Sequence, residues 1–544
     1  LFGFPFAVKD NIDVGGVPTT VACPELMYVP DSSAPVVQRL VDAGAIFVGK
    51  VNLDQLATGL VGARSPFGTP TNPFDATMIP GGSSSGSGVA VAVGQVAFAL
   101  GTDTAGSGRV PAAFNNVVGL KPTRGALSIR GVVPACRTYD CVSVFALTVE
   151  DACDVADVAK RWDALDPFSR GDAQSIPFHP DRSRGKWRIG VPPRQQLVFF
   201  DDEQARAAFD AAVERLRAMG CTITEVDLEP FRTAGEMLYG GACVAERLVT
   251  GGDLVDKKPE ALVPVIRAIL SDAKHITARQ VFEANYKLYS LRQSVEDTWR
   301  TIDALFVPTT PTIYKVEEVL ANPRALNSNL GVYTTFANLM DLAALAVPSG
   351  MRPDGLPTGV TFLGPRGSDS TLAAVGSAYH QAVGGTLGAT GHPLPAPEPP
   401  PASTTAPPPS AARHPVVVVG AHLSGLPLNH QLIGLGGALI RAAKTAPRYK
   451  LYALPGTVPP KPGLLRVRDG GTALEVEVWS LETRSFGAFV AAIPPPLGIG
   501  SIELDDGTYA QGFLCEADGV ADATDISQHG GWRAYLRSKH AVSG

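Results

Sequence analysis

At 544 residues, with 45% hydrophobic and 18% charged side chains, the chain carries enough apolar material for more than one packed domain and is far from the composition of a disordered polymer. Its 46 Lys and Arg against 52 Asp and Glu leave a net charge of −6 without a basic cluster, which argues against a surface made to neutralise nucleic-acid phosphates. The longest apolar run, near Gly88 to Gly101, contains Gln95 and falls short of the ~20 residues that a bilayer demands. Neither a nucleic-acid partner nor a membrane is therefore expected. Seven widely spaced cysteines without a CxxC pair suit reduced thiols in a cytoplasmic enzyme better than a disulfide framework or a zinc site. The opening residues, Leu-Phe-Gly-Phe-Pro-Phe, contain no basic segment that reads as a targeting signal.

In chain order, Val8-Lys9-Asp10-Asn11 closes an apolar stretch and sets one lysine where a strand gives way to a loop. Ala45–Gly49 reads as a short buried strand. Residues 81–88, GGSSSGSG, lead into the apolar run VAVAVGQVAFALG. Glycine and serine ahead of such a run predict the start of a buried helix, whose free N–H groups can hold an anion. Residues 101–109, GTDTAGSGR, set Ser107 between two glycines, where backbone N–H groups can approach a reacting carbonyl. Apolar positions at helical period predict a helix over 203–219, stopped by Gly220 and followed by a strand at Thr222–Val226. Ala304–Val307 reads as another buried strand. Strands mixed with helices predict an α/β domain over residues 1–392. Nine of the seventeen residues 393–409 are proline, which predicts an extended linker, taken as 393–413. Residues 414–544 then form a smaller α+β domain, with strands at Pro415–Val419 and over 474–480.

Two kinds of hydrolase are compatible with the serine-rich segments. Gly82-Ser83-Ser84-Ser85-Gly86 matches a GxSxG elbow, which needs an acid and a histidine; His179, His275 and His380 are formally available, in surroundings without a distinctive pattern. The alternative does without histidine. A serine nucleophile must lose its proton as it attacks, a buried lysine of lowered pKa can take it, and a second serine can relay it. Read singly, the same pieces are a turn, a solvated lysine and a packed helix.

Read together, VKDNIDV with Lys9, PGGSSSGSG, and GTDTAGSGRVPAAFNNVVGLKPTRG occur in the order found in the amidase signature family, which the chain resembles over most of residues 1–390. The resemblance implies a mixed central sheet flanked by helices and a triad of two serines and a lysine. Ser107 would be the nucleophile, Ser83 the bridging serine after a cis peptide with Gly82, and Lys9 the base. It further implies an oxyanion hole of backbone N–H groups from Thr104, Ala105, Gly106 and Ser107, with Asp103 and Arg109 bracing the loop, and neither metal nor cofactor. The family pattern has a helical segment ahead of the lysine strand, often used in dimer contacts, which this sequence is expected to lack; a homodimer is expected all the same.

Within that family the chain resembles the allophanate hydrolase branch. In LYGGACVAER (238–247) the branch's tyrosine and arginine fall on Tyr239 and Arg247, eight residues apart and expected on roughly one helix face. The arginine fork suits the carboxylate of a small anionic urea derivative. The plain alternative is a surface Glu246–Arg247 pair. TGLVGARSP (58–66) resembles a loop of the same branch and implies a substrate contact from the Gly62 amide. GAHLSGLPLNHQL (420–432) resembles the branch's C-terminal domain, similar in fold to gamma-glutamyl cyclotransferases. There the resemblance implies that His430 promotes a second step, and His422 serves as its comparison. The implied activity is hydrolysis of allophanate through N-carboxycarbamate to ammonia and carbon dioxide, linked to urea carboxylase. The rivals are an amidotransferase component supplying ammonia to charged tRNA, a GxSxG esterase, and a non-catalytic scaffold.

Overall fold

Along β1 (Pro5–Lys9), Phe6 and Val8 enter one hydrophobic layer with Phe98, Leu100, Val142 and Val144, while Ala7 enters another with Ala99, Phe145 and Ala346. That alternation is the signature of a strand buried on both faces. The computed structural model describes residues 1–180, 186–239, 241–396 and 413–542, so most of the predicted linker lies outside the described residues. The chain divides into two compact units, Leu1–Pro397 and Glu398–Gly544.

The other strands of the large unit are β2 (Ile46–Val51), β3 (Phe98–Asp103), β4 (Val118–Lys121), β5 (Cys141–Ala146), β6 (Arg188–Val191), β7 (Thr222–Glu225), β8 (Ala304–Pro308), β9 (Leu342–Met351) and β10 (Pro357–Pro365). They form one ten-stranded sheet in the order β2-β1-β3-β5-β4-β9-β10-β8-β6-β7. Pairing is parallel in the two wings, β2-β1-β3 and β8-β6-β7. It is antiparallel through the centre, from β3 to β8. The sheet is therefore mixed, as expected.

Two predicted elements change. The apolar run after Gly88 is not one helix. The helix Ser85–Ala92 takes its first part, and its Ala90, Val91 and Ala92 pack on the small-residue face of the sheet. The second part returns as β3, because pairing with β1 and β5 satisfies its backbone in the sheet interior. The strand predicted at Ala45–Gly49 exists as β2 but is not buried: Ile46 and Val48 are 53% and 54% exposed, since β2 is the outermost strand. The helix Glu203–Ala218 forms as its periodicity requires. Asp202 caps it by accepting from the Ala205 N–H, and Phe209, Ala212, Val213 and Leu216 line its buried face.

The small unit contains β11 (Arg413–Val418), β12 (Ala438–Lys444), β13 (Tyr449–Ala453), β14 (Pro462–Arg466), β15 (Glu475–Glu482), β16 (Leu497–Glu503), β17 (Tyr509–Cys515) and β18 (Thr524–Asp525). A five-stranded sheet runs β12-β15-β11-β17-β16 and a three-stranded one β14-β13-β18. Its core gathers Val416, Val418, Val476, Val478, Phe489 and Trp532. Among the described residues no helix is long and apolar enough to cross a membrane. All seven cysteines are buried and free of disulfides.

Candidate active site

Lys9 ends β1 on the face that Ala7 shares with the small-residue helix. Its Nζ donates to Ser83 Oγ at 2.8 Å and to Thr102 Oγ1 at 2.8 Å, and all three residues are buried. Thr102 is held in turn by Asn11 Nδ2 at 3.3 Å. Desolvation pulls the Lys9 ammonium far below its ordinary value, to about 7, against the opposing charges of Asp54, Asp103 and Asp140. An amine in that range is a usable base near neutral pH. The peptide between Gly82 and Ser83 is cis.

Ser107 lies on the turn between β3 and the helix Val110–Phe114. Its hydroxyl donates to Gly59 O at 3.5 Å, while Asp54 N donates to Ser83 O at 3.1 Å. Both serines thus contact the loop 54–64, Ser83 through its carbonyl and Ser107 through its hydroxyl. The turn itself is built around Asp103, whose carboxylate accepts from the N–H groups of Gly106 and Gly108, both at 3.0 Å. Arg109 completes the brace with Nε and Nη2 on the same carboxylate, at 2.9 and 3.0 Å. Burial pushes the Asp103 carboxyl up, and the Arg109 charge with its hydrogen bonds more than reverses this, leaving it below the usual range.

This geometry corrects the expected oxyanion hole at one position. The Gly106 N–H is spent on Asp103 and is not available to a substrate. Gly106 instead provides a conformation: φ is +126°, and a Cβ there would come within 2.4 Å of Thr334 Oγ1. The N–H groups of Thr104, Ala105 and Ser107 have no protein acceptor among the described residues. Gly62 is corrected for the same reason. Its N–H donates to Asp54 Oδ2 at 3.0 Å, beside the Arg64 N–H on Oδ1 at 2.9 Å, so it shapes the loop and cannot reach a substrate.

Arg247 is not part of a surface pair. It is 2% exposed, and its Nη1 donates to Thr58 Oγ1 at 2.6 Å, whereas Glu246 accepts from the N–H and hydroxyl of Thr138. Nor do Tyr239 and Arg247 share a helix face. Tyr239 ends the helix Glu229–Tyr239, and Arg247 closes a separate 3₁₀ segment, Ala242–Arg247, after the extended Gly241. The Tyr239 side chain and Gly240 lie outside the described residues.

Among the described residues no histidine hydrogen-bonds Ser84, and His275 is exposed. Ser84 Oγ donates to Thr102 O, His179 faces Asp154 and Asp157 on the surface, and His380 is buried, its ring pushed down to about 4 by desolvation beside Glu150. In the small unit the two histidines exchange the places expected of them. His430 is exposed and bonds Pro427 O through Nδ1 at 2.9 Å, the geometry of a turn residue. His422 lines a cavity of about 280 Å³ with Lys461, Phe489 and Phe513. Its ring stacks on Phe513 at 5.1 Å and bonds Gln431 Oε1 at 2.9 Å, and burial lowers its pKa. The adjoining loop is held by Glu477, which accepts from the Ser424 N–H and hydroxyl, Trp479 Nε1 and Arg533.

Sequence reasoning missed Thr102, Asp54, Asp140 and Asn338. Thr102 lies inside a recognised motif, but its role follows from the parallel pairing of β1 with β3, which no local pattern encodes. Asn338, from a distant helix, donates to the carbonyls of Asp103 and Tyr139 at 2.7 and 2.9 Å.

Comparison with known proteins agrees with both units. Residues 1–373 match the amidase family and residues 414–537 the allophanate hydrolase C-terminal domain. Urea amidolyase of Saccharomyces cerevisiae is 42% identical over 548 residues, which is 98% of this chain. The chain spans only 30% of that relative's length. A solved allophanate hydrolase of Kluyveromyces lactis superposes with a TM-score of 0.70 at 42% identity, covering 99% of this chain and 89% of that one. A glutamyl-tRNA(Gln) amidotransferase component of Natronomonas pharaonis is 35% identical over 408 residues, 96% of its own length but 70% of this chain.

Proposed function

The chain belongs to the amidase family, and from that premise we propose that it hydrolyses allophanate to ammonia and carbon dioxide. The observation that carries the chemistry is the buried hydrogen bond between Lys9 and Ser83, which joins a lysine of lowered pKa to a serine beside the loop that Ser107 also touches. In this reading Ser107 Oγ attacks the terminal carbamoyl carbon, and its proton passes through Ser83 to neutral Lys9. The oxyanion is met by N–H groups of Thr104, Ala105 and Ser107. The proton returns to the leaving nitrogen, ammonia departs, and water releases N-carboxycarbamate from the acyl-enzyme. Arg247 and Tyr239 hold the substrate carboxylate end.

The substrate assignment is supported by the second unit, which the amidotransferase relative does not span. N-carboxycarbamate loses carbon dioxide to give carbamate, which yields the second carbon dioxide and ammonia. We assign assistance of this step to His422, since its ring lines a cavity while that of His430 faces solvent. A neutral imidazole can pass the proton that replaces the lost carboxylate. A homodimer, a cytoplasmic setting and a functional link to urea carboxylase complete the proposal. Free, buried thiols suit a reducing compartment, and the matching urea amidolyases are far longer than this chain.

The test is ammonia release from allophanate, malonamate, glutamine and an aryl ester. Turnover of allophanate with two ammonia per molecule is expected. Glutamine turnover dependent on partner proteins, or ester cleavage alone, overturns the reading.

A further inference from the structure

Asp140 is a fully buried carboxylate that the reaction above does not use. Its Oδ1 accepts from the Thr104 hydroxyl at 2.5 Å and the Cys136 N–H at 3.1 Å, and its Oδ2 from the Ala135 N–H at 3.0 Å. Thr104 opens the turn that carries Ala105 and Ser107. The carbonyl just before it, Asp103 O, is held by Asn338, which also holds the carbonyl of Tyr139, the residue ahead of Asp140. The start of the turn is thus tied on both sides, by Asn338 through the backbone and by Asp140 through a side chain. Asp140 also acts electrostatically on two groups of the reaction, the Arg247 guanidinium and the Lys9 amine.

We propose that Asp140 is a positioning residue: by holding the Thr104 hydroxyl it aims the N–H groups of Thr104, Ala105 and Ser107 at the developing oxyanion. The proposal rests on the reading of that turn as the oxyanion site. An enzyme that holds its donors in place before reaction avoids reorienting them during it, and the loss of one such donor costs about 10²–10³-fold in kcat. Tilting donors without removing them costs less, about ten- to a hundredfold.

The experiment uses the full chain, with allophanate as substrate and ammonia release followed across pH. Thr104→Val should lower kcat about ten- to a hundredfold with little change in KM, and Thr104→Ser should recover most of that loss. Asp140→Asn should lower kcat similarly, again with little change in KM. A merely structural role would raise KM along with the fall in kcat and leave Thr104→Ser no better than Thr104→Val; that result overturns the proposal, as does wild-type kcat in either Asp140→Asn or Thr104→Val. Should Asp140→Asn fail to fold, the Thr104 pair decides: loss with recovery by serine supports the proposal, and no loss overturns it. Ser107→Ala separates the two levels. If that variant stays active, the active-site reading has failed; if it is dead while the Thr104 and Asp140 variants turn over normally, only the role of Asp140 has.

Discussion

Lys9 and Ser83 are separated by 74 residues in the chain and joined by a 2.8 Å hydrogen bond in a place that solvent does not reach. Burial is what makes the pair chemically useful. In water the amine would be protonated at neutral pH, and here desolvation brings it to about 7.

Activity should therefore fall as pH drops below about 7, about tenfold per unit once Lys9 is mostly protonated. Lys9→Ala should lose roughly 10²–10⁴-fold at pH 8. The same shift has a sign in stability. Because the folded value lies below the unfolded 10.5, the unfolded chain binds more protons between about 7 and 10.5, so stability contributed by this group rises with pH across that window. Urea unfolding of Lys9→Met from pH 6 to 9 should show a flatter dependence than wild type. Undiminished turnover in Lys9→Ala would sink the mechanism.

Ser107→Ala should abolish ammonia release and leave the thermal midpoint nearly unchanged, since among the described residues the hydroxyl makes one long hydrogen bond. Mass spectrometry of wild type quenched during turnover should find the acyl adduct on Ser107. A dead Ser84→Ala beside an active Ser107→Ala would restore the histidine elbow instead.

Arg247→Lys should impair allophanate about tenfold or more, and a neutral short amide less. Lysine keeps the charge but loses the planar fork, and the Thr58 hydroxyl that holds one arm of that fork loses its partner geometry. The ratio of kcat/KM for the two substrates is the measurement; equal losses on both would make Arg247 a structural residue.

His422→Ala should leave the first ammonia burst intact and delay carbon dioxide and the second ammonia, visible with enzyme in excess over substrate. His430→Ala should show no delay, because its ring bonds Pro427 O and stands outside the cavity. A lag in the His430 variant alone would return the second step to that residue.

Much of this protein is legible without coordinates. The two units, the helix at 203–218 and the mixed α/β character all follow from patterns in which the informative residues are neighbours in the chain or stand in motifs. Apolar period, proline density and a serine between glycines act through local sterics and backbone freedom, so the sequence carries them by itself.

What the tertiary structure decided are the partners. The apolar run after Gly88 had to be divided between helix and β3 because β1 and β5 offered its second half a ladder. The Gly62 and Gly106 amides, free by motif, are consumed by Asp54 and Asp103. Tyr239 and Arg247 stand on separate segments although their spacing matches a helix, and His422 rather than His430 meets the cavity. Each of these depends on which group from elsewhere in the chain arrives within about 3 Å, the reach of a hydrogen bond. A residue's type determines what it can donate or accept, and only the fold determines whether that capacity is already spent.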